Sequence, residues 1–254
     1  MGAKTQMPSR NIRWAMAVTL LAGLSGCRVD TNADRAINET GETIRELNTV
    51  ALSKAEGVER VRVMLDLHAG ELHVDSGAKE LLEAEFTYNV SSWKPEVRFD
   101  RSGFRSNLSI KQGGSTAAMG STKNEWRLKL NDGIPIDFSL HCGAGENRLN
   151  LGQLDLRDVE VHIGAGRVEL DLTGRQPKHD YAVSIHGGVG EAVVRLPADA
   201  GVIATASGGL GEIEVNGLEK HGSEWRSGAS GKGKSTIHVD VHGGIGKITI
   251  DARR

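Results

Sequence analysis

Four of the nine histidines stand at one place in a recurring pattern. The copies read His141-Cys-Gly-Ala-Gly145, His162-Ile-Gly-Ala-Gly166, His186-Gly-Gly-Val-Gly190 and His242-Gly-Gly-Ile-Gly246. Ser207-Gly-Gly-Leu-Gly211 carries serine in the histidine place, and Asp66-Leu-His-Ala-Gly70 is a weaker sixth copy. Imidazole nitrogens bind divalent metals and titrate near neutrality. A structural repeat that stacked His141, His162, His186 and His242 would therefore offer a shared metal or collective protonation. No His-x-His or Glu-x-x-His pairing strengthens the metal reading, so a solvated polar column beside a glycine turn is expected first. Divalent-metal binding by the histidine column is the alternative, and no cofactor is expected.

Two other constellations suggest chemistry. Gly228-Ala-Ser-Gly-Lys-Gly-Lys234-Ser235 satisfies the phosphate-binding P-loop pattern. That chemistry needs a strand before the loop and a helix after it, whose first N–H groups cradle phosphate. Here Thr236-Ile-His-Val-Asp-Val241 alternates like a strand and the polar stretch 220–227 precedes, so no nucleotide is expected. The other is Leu24-Ser25-Gly26-Cys27, which closes an apolar run begun at Trp14 and preceded by Lys4, Arg10 and Arg13. A basic start, a short apolar run and small residues before a cysteine read as a secretory signal peptide over residues 1–26, with Cys27 as the lipidation site. The run is about half the roughly 20 residues that a membrane-crossing helix needs. Lipidation leaves Cys142 as the one other cysteine, without a partner for a disulfide. No Ser/His/Asp order, activated thiol or close carboxylate pair stands out, and no enzyme is expected.

The elements that must position these residues are strands. Val61, Val63, Leu65 and Leu67 alternate with Arg62, Met64, Asp66 and His68, which marks a strand with one buried face. Similar runs flank each glycine copy. The closing glycines Gly145, Gly166, Gly190, Gly211 and Gly246 lie 21, 24, 21 and 35 residues apart, with 75 between Gly70 and Gly145. About 21 residues hold two short strands and two turns, and such a unit buries its apolar face only by stacking on neighbours. Apolar parity changes across each Gly-x-Gly, from 159, 161 and 163 to 168, 170 and 172. Turn glycines with positive φ, reversing the chain, are expected there. The expected fold is all-β: a stacked, β-solenoid-like repeat with Gly-x-Gly turns, preceded by a smaller β unit. An antiparallel β-sandwich stays open. The expected divisions are a tether over 27–48, with at most a short helix, an N-terminal β unit over 49–112 and the repeat unit over 123–254. The Gly/Ser-rich stretch 101–122 reads as an exposed loop or long hairpin.

Glu83-Ala-Glu-Phe-Thr-Tyr-Asn-Val90 followed by Trp93-Lys-Pro-Glu-Val97 resembles the N-terminal signature of the toast-rack family. The stretch from Asn124 to Leu140 and the Gly-Ala-Gly copies after it are similar to the C-terminal domain of LiaF-type proteins of the cell-wall antibiotic response. The resemblance implies an all-β stacked fold and an envelope setting, and no activity. LiaF-type proteins carry membrane helices before this domain where this chain has a signal peptide, so their regulatory role carries over weakly.

Composition agrees with an exported β protein. Glycine numbers 33 residues and aromatics make up 4%, so Val, Ile and Leu must supply the core. Cleavage before Cys27 leaves 28 basic against 33 acidic residues. That balance argues against nucleic acid as a partner. The expected function is a non-catalytic lipoprotein held to the envelope, at the outer membrane where one exists, that engages a protein partner, such as an envelope-stress component. A surface adhesin or polysaccharide-binding solenoid is the alternative, beside the metal reading.

Overall fold

The computed structural model describes residues 38–114, 118–231 and 235–253. Cys27, the stretch read as a signal peptide and the first half of the stretch read as a tether lie outside the described residues. The described chain is strand, with two 3-10 turns at Leu52–Ala55 and Ser91–Trp93. In order, the strands are β1 (Asn38–Glu39), β2 (Ile44–Val50), β3 (Arg60–Ser76), β4 (Leu82–Tyr88), β5 (Pro95–Ser102), β6 (Arg105–Gln112), β7 (Ala118–Met119) and β8 (Asn124–Leu130). They continue as β9 (Pro135–Asn150), β10 (Asp155–Asp171), β11 (Tyr181–Arg195), β12 (Gly201–Asn216), β13 (Glu219–His221), β14 (Glu224–Arg226) and β15 (Thr236–Asp251). No helix occupies the end of the stretch read as a tether, because β2 begins there at Ile44.

Six long strands of 15–17 residues form the stack, and each carries one copy of the glycine pattern at its middle. They pair in parallel in the order β3-β9-β10-β11-β15-β12. Repeat positions pair with repeat positions, for example His162 with His141 and His186, and Gly166 with Gly145 and Gly190. The parallel ladder realises the stacked, solenoid-like expectation rather than the antiparallel sandwich. Chain order and spatial order part at the end, where β15 inserts between β11 and β12.

The glycine pattern lies within strands, not between them, so the expected strand–turn–strand unit is one strand that bends. Gly166 has φ +122 and its equivalents Gly145, Gly190, Gly211 and Gly246 span +140 to +148. That region keeps the chain extended, so pairing continues on both sides of the bend while the side-chain alternation shifts by one. Val159, Val161 and Ile163 before the bend and Val168, Leu170 and Leu172 after it enter the same apolar cluster. A second constraint holds at the same place. A Cβ on Gly166 would lie 2.0 Å from the carbonyl oxygen of Gly145. Each rung therefore leans on its neighbour's backbone where only glycine fits.

At β3 the stack forks. Arg60–Asp66 pair with β6, which pairs in turn with β5, while Glu71–Ser76 pair with β8 and the sheet continues through β4 to β2. Backbone groups left at the parting are met by side chains. Gln112 Oε1 accepts from the N–H of His68 at 2.9 Å, and Asn124 Nδ2 donates to the carbonyl of Ala69 at 2.7 Å. Trp126 Nε1 donates to Asn124 Oδ1 at 3.0 Å, which fixes the amide's orientation. β3 also pairs with β9 from Val61 to Val74, so residues from 49–112 and from 123–254 share one sheet and one core. The stretch 101–112 is half of the β5–β6 hairpin, with Leu108 and Ile110 buried.

Candidate functional site

Parallel in-register stacking turns equivalent repeat positions into rows across the sheet. On the outer face of the half-strands before the bend, one row runs Asp66, His141, His162, His186, His242, Ser207. The four imidazoles stack face to face, with centroids 4.8, 4.9 and 5.2 Å apart and ring planes within 13° of parallel. The spacing is that of the strands themselves. Alternation directs these side chains outward, and His162 and His242 are 37% and 49% exposed. His141, His162 and His186 border an open groove of about 600 Å³ along the bend.

A second row, two residues upstream, runs Met64, Ser139, Glu160, Ser184, Asp240, Thr205. His162 Nε2 lies 2.8 Å from Glu160 Oε1, and His242 Nε2 lies 2.9 Å from Asp240 Oδ2. His186 Nε2 meets Ser184 Oγ at 3.0 Å. The hydrogen bond from His162 is the main cause that holds the Glu160 carboxyl below its ordinary value, aided by the charges of His162, His141 and His186. Burial opposes ionisation of Asp240, yet donors from Thr205 and His242 outweigh it and its pKa is lowered. Asp158, in the next row upstream, moves the other way. Burial raises its pKa, and the charges of Asp137 and Glu160 add to the shift.

At the β12 end of the histidine row, Ser207 Oγ lies 2.6 Å from His242 Nδ1 while His242 Nε2 faces Asp240. With His242 Nε2–H donating to Asp240, Nδ1 accepts from the serine hydroxyl. The order is that of a proton relay, which sequence reading missed. Two signals carried it: Ser207 aligns with His242 in the repeat, and Asp240 precedes that histidine by two residues, on the same face of a strand. A relay alone does not make a nucleophile, since acyl chemistry also needs donors aimed at the developing oxyanion. Here the relay stands on an exposed sheet face.

Metal chemistry finds less support. Parallel stacked rings direct their in-plane lone pairs side by side, not onto one point. Among the described residues no group of three or more His, Cys, Asp or Glu side chains could hold a metal ion. His68 and His73 belong to β3 outside the row; His73 meets Arg148 at 3.2 Å. Cys142 is buried, and burial pushes its thiol pKa up. The P-loop-like stretch is followed by strand β15, not by a helix, and its residues 232–234 lie outside the described residues.

The outer face after the bend is different. Arg167 joins Glu191 and Glu169, each at 2.8 Å, and Arg195 joins Glu169 at 3.4 Å. Lys247 joins Glu212 and Glu214 at 3.3 and 2.9 Å. Cross-strand ion pairs tie that face together, whereas on the histidine face the bonds of His162, His186 and His242 to Glu160, Ser184 and Asp240 run along each strand and ring stacking links four of the strands.

Residues 37–195 match the family model described as the N-terminal domain of toast_rack, DUF2154. The crystal structure of a candidate cell adhesion protein from Clostridium sporogenes ATCC 15579 is similar at 32% identity. The likeness covers 83% of this chain and 99% of that one, with a TM-score of 0.78. Structures of candidate adhesins from Bacteroides fragilis NCTC 9343 and Parabacteroides distasonis ATCC 8503 align over 84% of this chain and 99% and 98% of theirs. Their identities are 10% and 13% and their TM-scores 0.29 and 0.26, too low to bear on the reading. No curated protein matches the chain. The half-strands that bend at glycine, the parallel in-register rows and the match over residues 37–195 make this chain a member of the toast-rack family.

Proposed function

We propose that the chain is a non-catalytic lipoprotein of the cell envelope that presents the histidine face as a binding surface for a protein partner. The observation that carries the reading is the row itself. One imidazole on each of four neighbouring rungs, at 4.8–5.2 Å, makes a regular polar array on an exposed face. Such a surface suits contact with another extended molecule better than enclosure of a small one. The Leu24-Ser25-Gly26-Cys27 motif, after a basic start and a short apolar run, supports lipid anchoring at Cys27 and with it the envelope setting. A role in envelope-stress sensing rests on the likeness to LiaF-type domains. A second reading, surface adhesion, is favoured by the similarity to the candidate cell adhesion protein of Clostridium sporogenes. Both use the same face.

Two measurements test this. Cys27→Ala should move the protein from the membrane to the soluble fraction and abolish palmitate labelling; retained labelling would remove the anchor. In living cells, a photo-crosslinking residue at Ser184 on the histidine face should trap one discrete partner, and the same residue at Glu169 after the bend should not. Equal trapping at both positions, or none at Ser184, would contradict a binding role for the histidine face.

A further inference from the structure

The sheet that runs through the half-strands after the bend is open at both ends. Among the described residues β2 pairs only with β4, and the Ser207–Asn216 half of β12 only with β15. The β14 strand covers β12 at Ile203 and Ala204 alone. Unpaired strand edges present rows of N–H and C=O groups that another strand can take up. Both edge strands carry exposed large apolar side chains. Ile44 (39%) and Leu47 (73%) lie on β2, and Leu210 (70%) and Ile213 (39%) on β12. Ile245 (53%) and Val189 (55%) continue a row from Leu210 into the sheet on β15 and β11, and among the described residues Phe104, at the β5–β6 turn, lies apart.

The two edges also match in direction and charge. β2 is antiparallel to β4, β4 is antiparallel to β8, and β8 is parallel to β3 and hence to β12. A second copy displaced along the stack would therefore set its β2 beside β12 in parallel, the pairing every long rung already uses. With Ile44 against Ile213, Arg45, which pairs with Glu85 in its own chain, falls against Glu214, which pairs with Lys247 in the next, so the contact would join two existing ion-pair networks on the outward face. A two-fold pairing of β12 with β12 would instead bring two acidic edges together. We propose that the chain associates head to tail, the β2 edge of one copy adding to the open half of β12 in the next. Such an interface is heterologous and does not close on itself, so it propagates into a filament.

The test uses the full chain in mild detergent, followed by sedimentation over a wide concentration range. The wild type should show a mass that grows with concentration and does not stop at a dimer. Leu47→Asp and Ile213→Asp alter exposed side chains on the two segments that would pair, so melting curves should match the wild type. Each variant alone should remain monomeric, having one spoiled edge. Mixed in equal amounts they should form dimers and nothing larger, because one good β2 edge meets one good β12 edge. A wild type that stays monomeric throughout would overturn the proposal, as would a variant that still dimerises alone or a mixture that does not pair.

Discussion

At the scale of single residues, the glycines of the bend carry two constraints that can be separated from ordinary glycine behaviour. Gly166 needs a positive φ and also stands where a Cβ would meet the Gly145 carbonyl at 2.0 Å. Gly222 has φ +65 but open space around its Cβ position. Gly222→Ala should cost about 1 kcal/mol, the usual penalty for a side chain in that backbone region. Gly166→Ala should cost at least about 3 kcal/mol, because strained backbone and a collision with a neighbouring rung add together. Chemical denaturation of both variants checks the contrast, and equal losses would remove the close-approach argument. The carboxylates beside the histidines give a second test. Glu160 and Asp240 have folded-state pKa values below their ordinary 4.5 and 3.8. Their contribution is thus present above the unfolded carboxylate range and is lost as pH falls through the folded values. Glu160→Gln should flatten the loss of melting temperature on acidification below about pH 4.5 by a small amount, since exposed pairs contribute at most about 1 kcal/mol. A steeper acid loss in the variant would reverse the assigned sign.

At the scale of elements, alternation and glycine spacing made the strands and their burial legible. Val61, Val63, Leu65 and Leu67 read as inward and are fully or almost fully buried. The nature of the bend was less accessible, because a Gly-x-Gly between alternating runs is written the same way for a hairpin turn and for a kink in a continuous strand. Stacking decides between them, since parallel neighbours hold the extended chain through the bend. The fork at β3 was illegible for a related reason. Asn124 and Gln112 are ordinary polar letters until β6 and β8 part and leave backbone groups of His68 and Ala69 to be met. Asn124→Ala should therefore destabilise by about 2–3 kcal/mol, the cost of stranding buried polar groups at the Ala69 carbonyl and the Trp126 indole. Asn150→Ala, on an exposed amide that bonds Asp75, should cost under about 0.5 kcal/mol. Thermal and denaturant melts of the two would show the gap, and its absence would mean that another group or water takes over at the fork.

At the scale of the whole molecule, the resemblance to the toast-rack family anticipated a stacked β fold, and the repeat alignment anticipated that the histidines share one column. The order of the stack was not written in the chain. The 35-residue interval between Gly211 and Gly246 reads as one lengthened repeat. In space that length lets β15 turn back and enter between β11 and β12, and the self-similar rungs accept it in either place. The consequence falls on the candidate site, for His242 becomes the neighbour of His186 and completes an unbroken row of four rings. Chain order would have set Ser207 between them. Nuclear Overhauser contacts between histidine-ring protons in selectively labelled protein test this directly. The expected result is ring-to-ring contact between His186 and His242, whose centroids are 5.2 Å apart, together with contacts from His141 to His162 and from His162 to His186. Ring protons of His186 that contact Ser207 and not His242 would contradict the stacked row and the surface built on it.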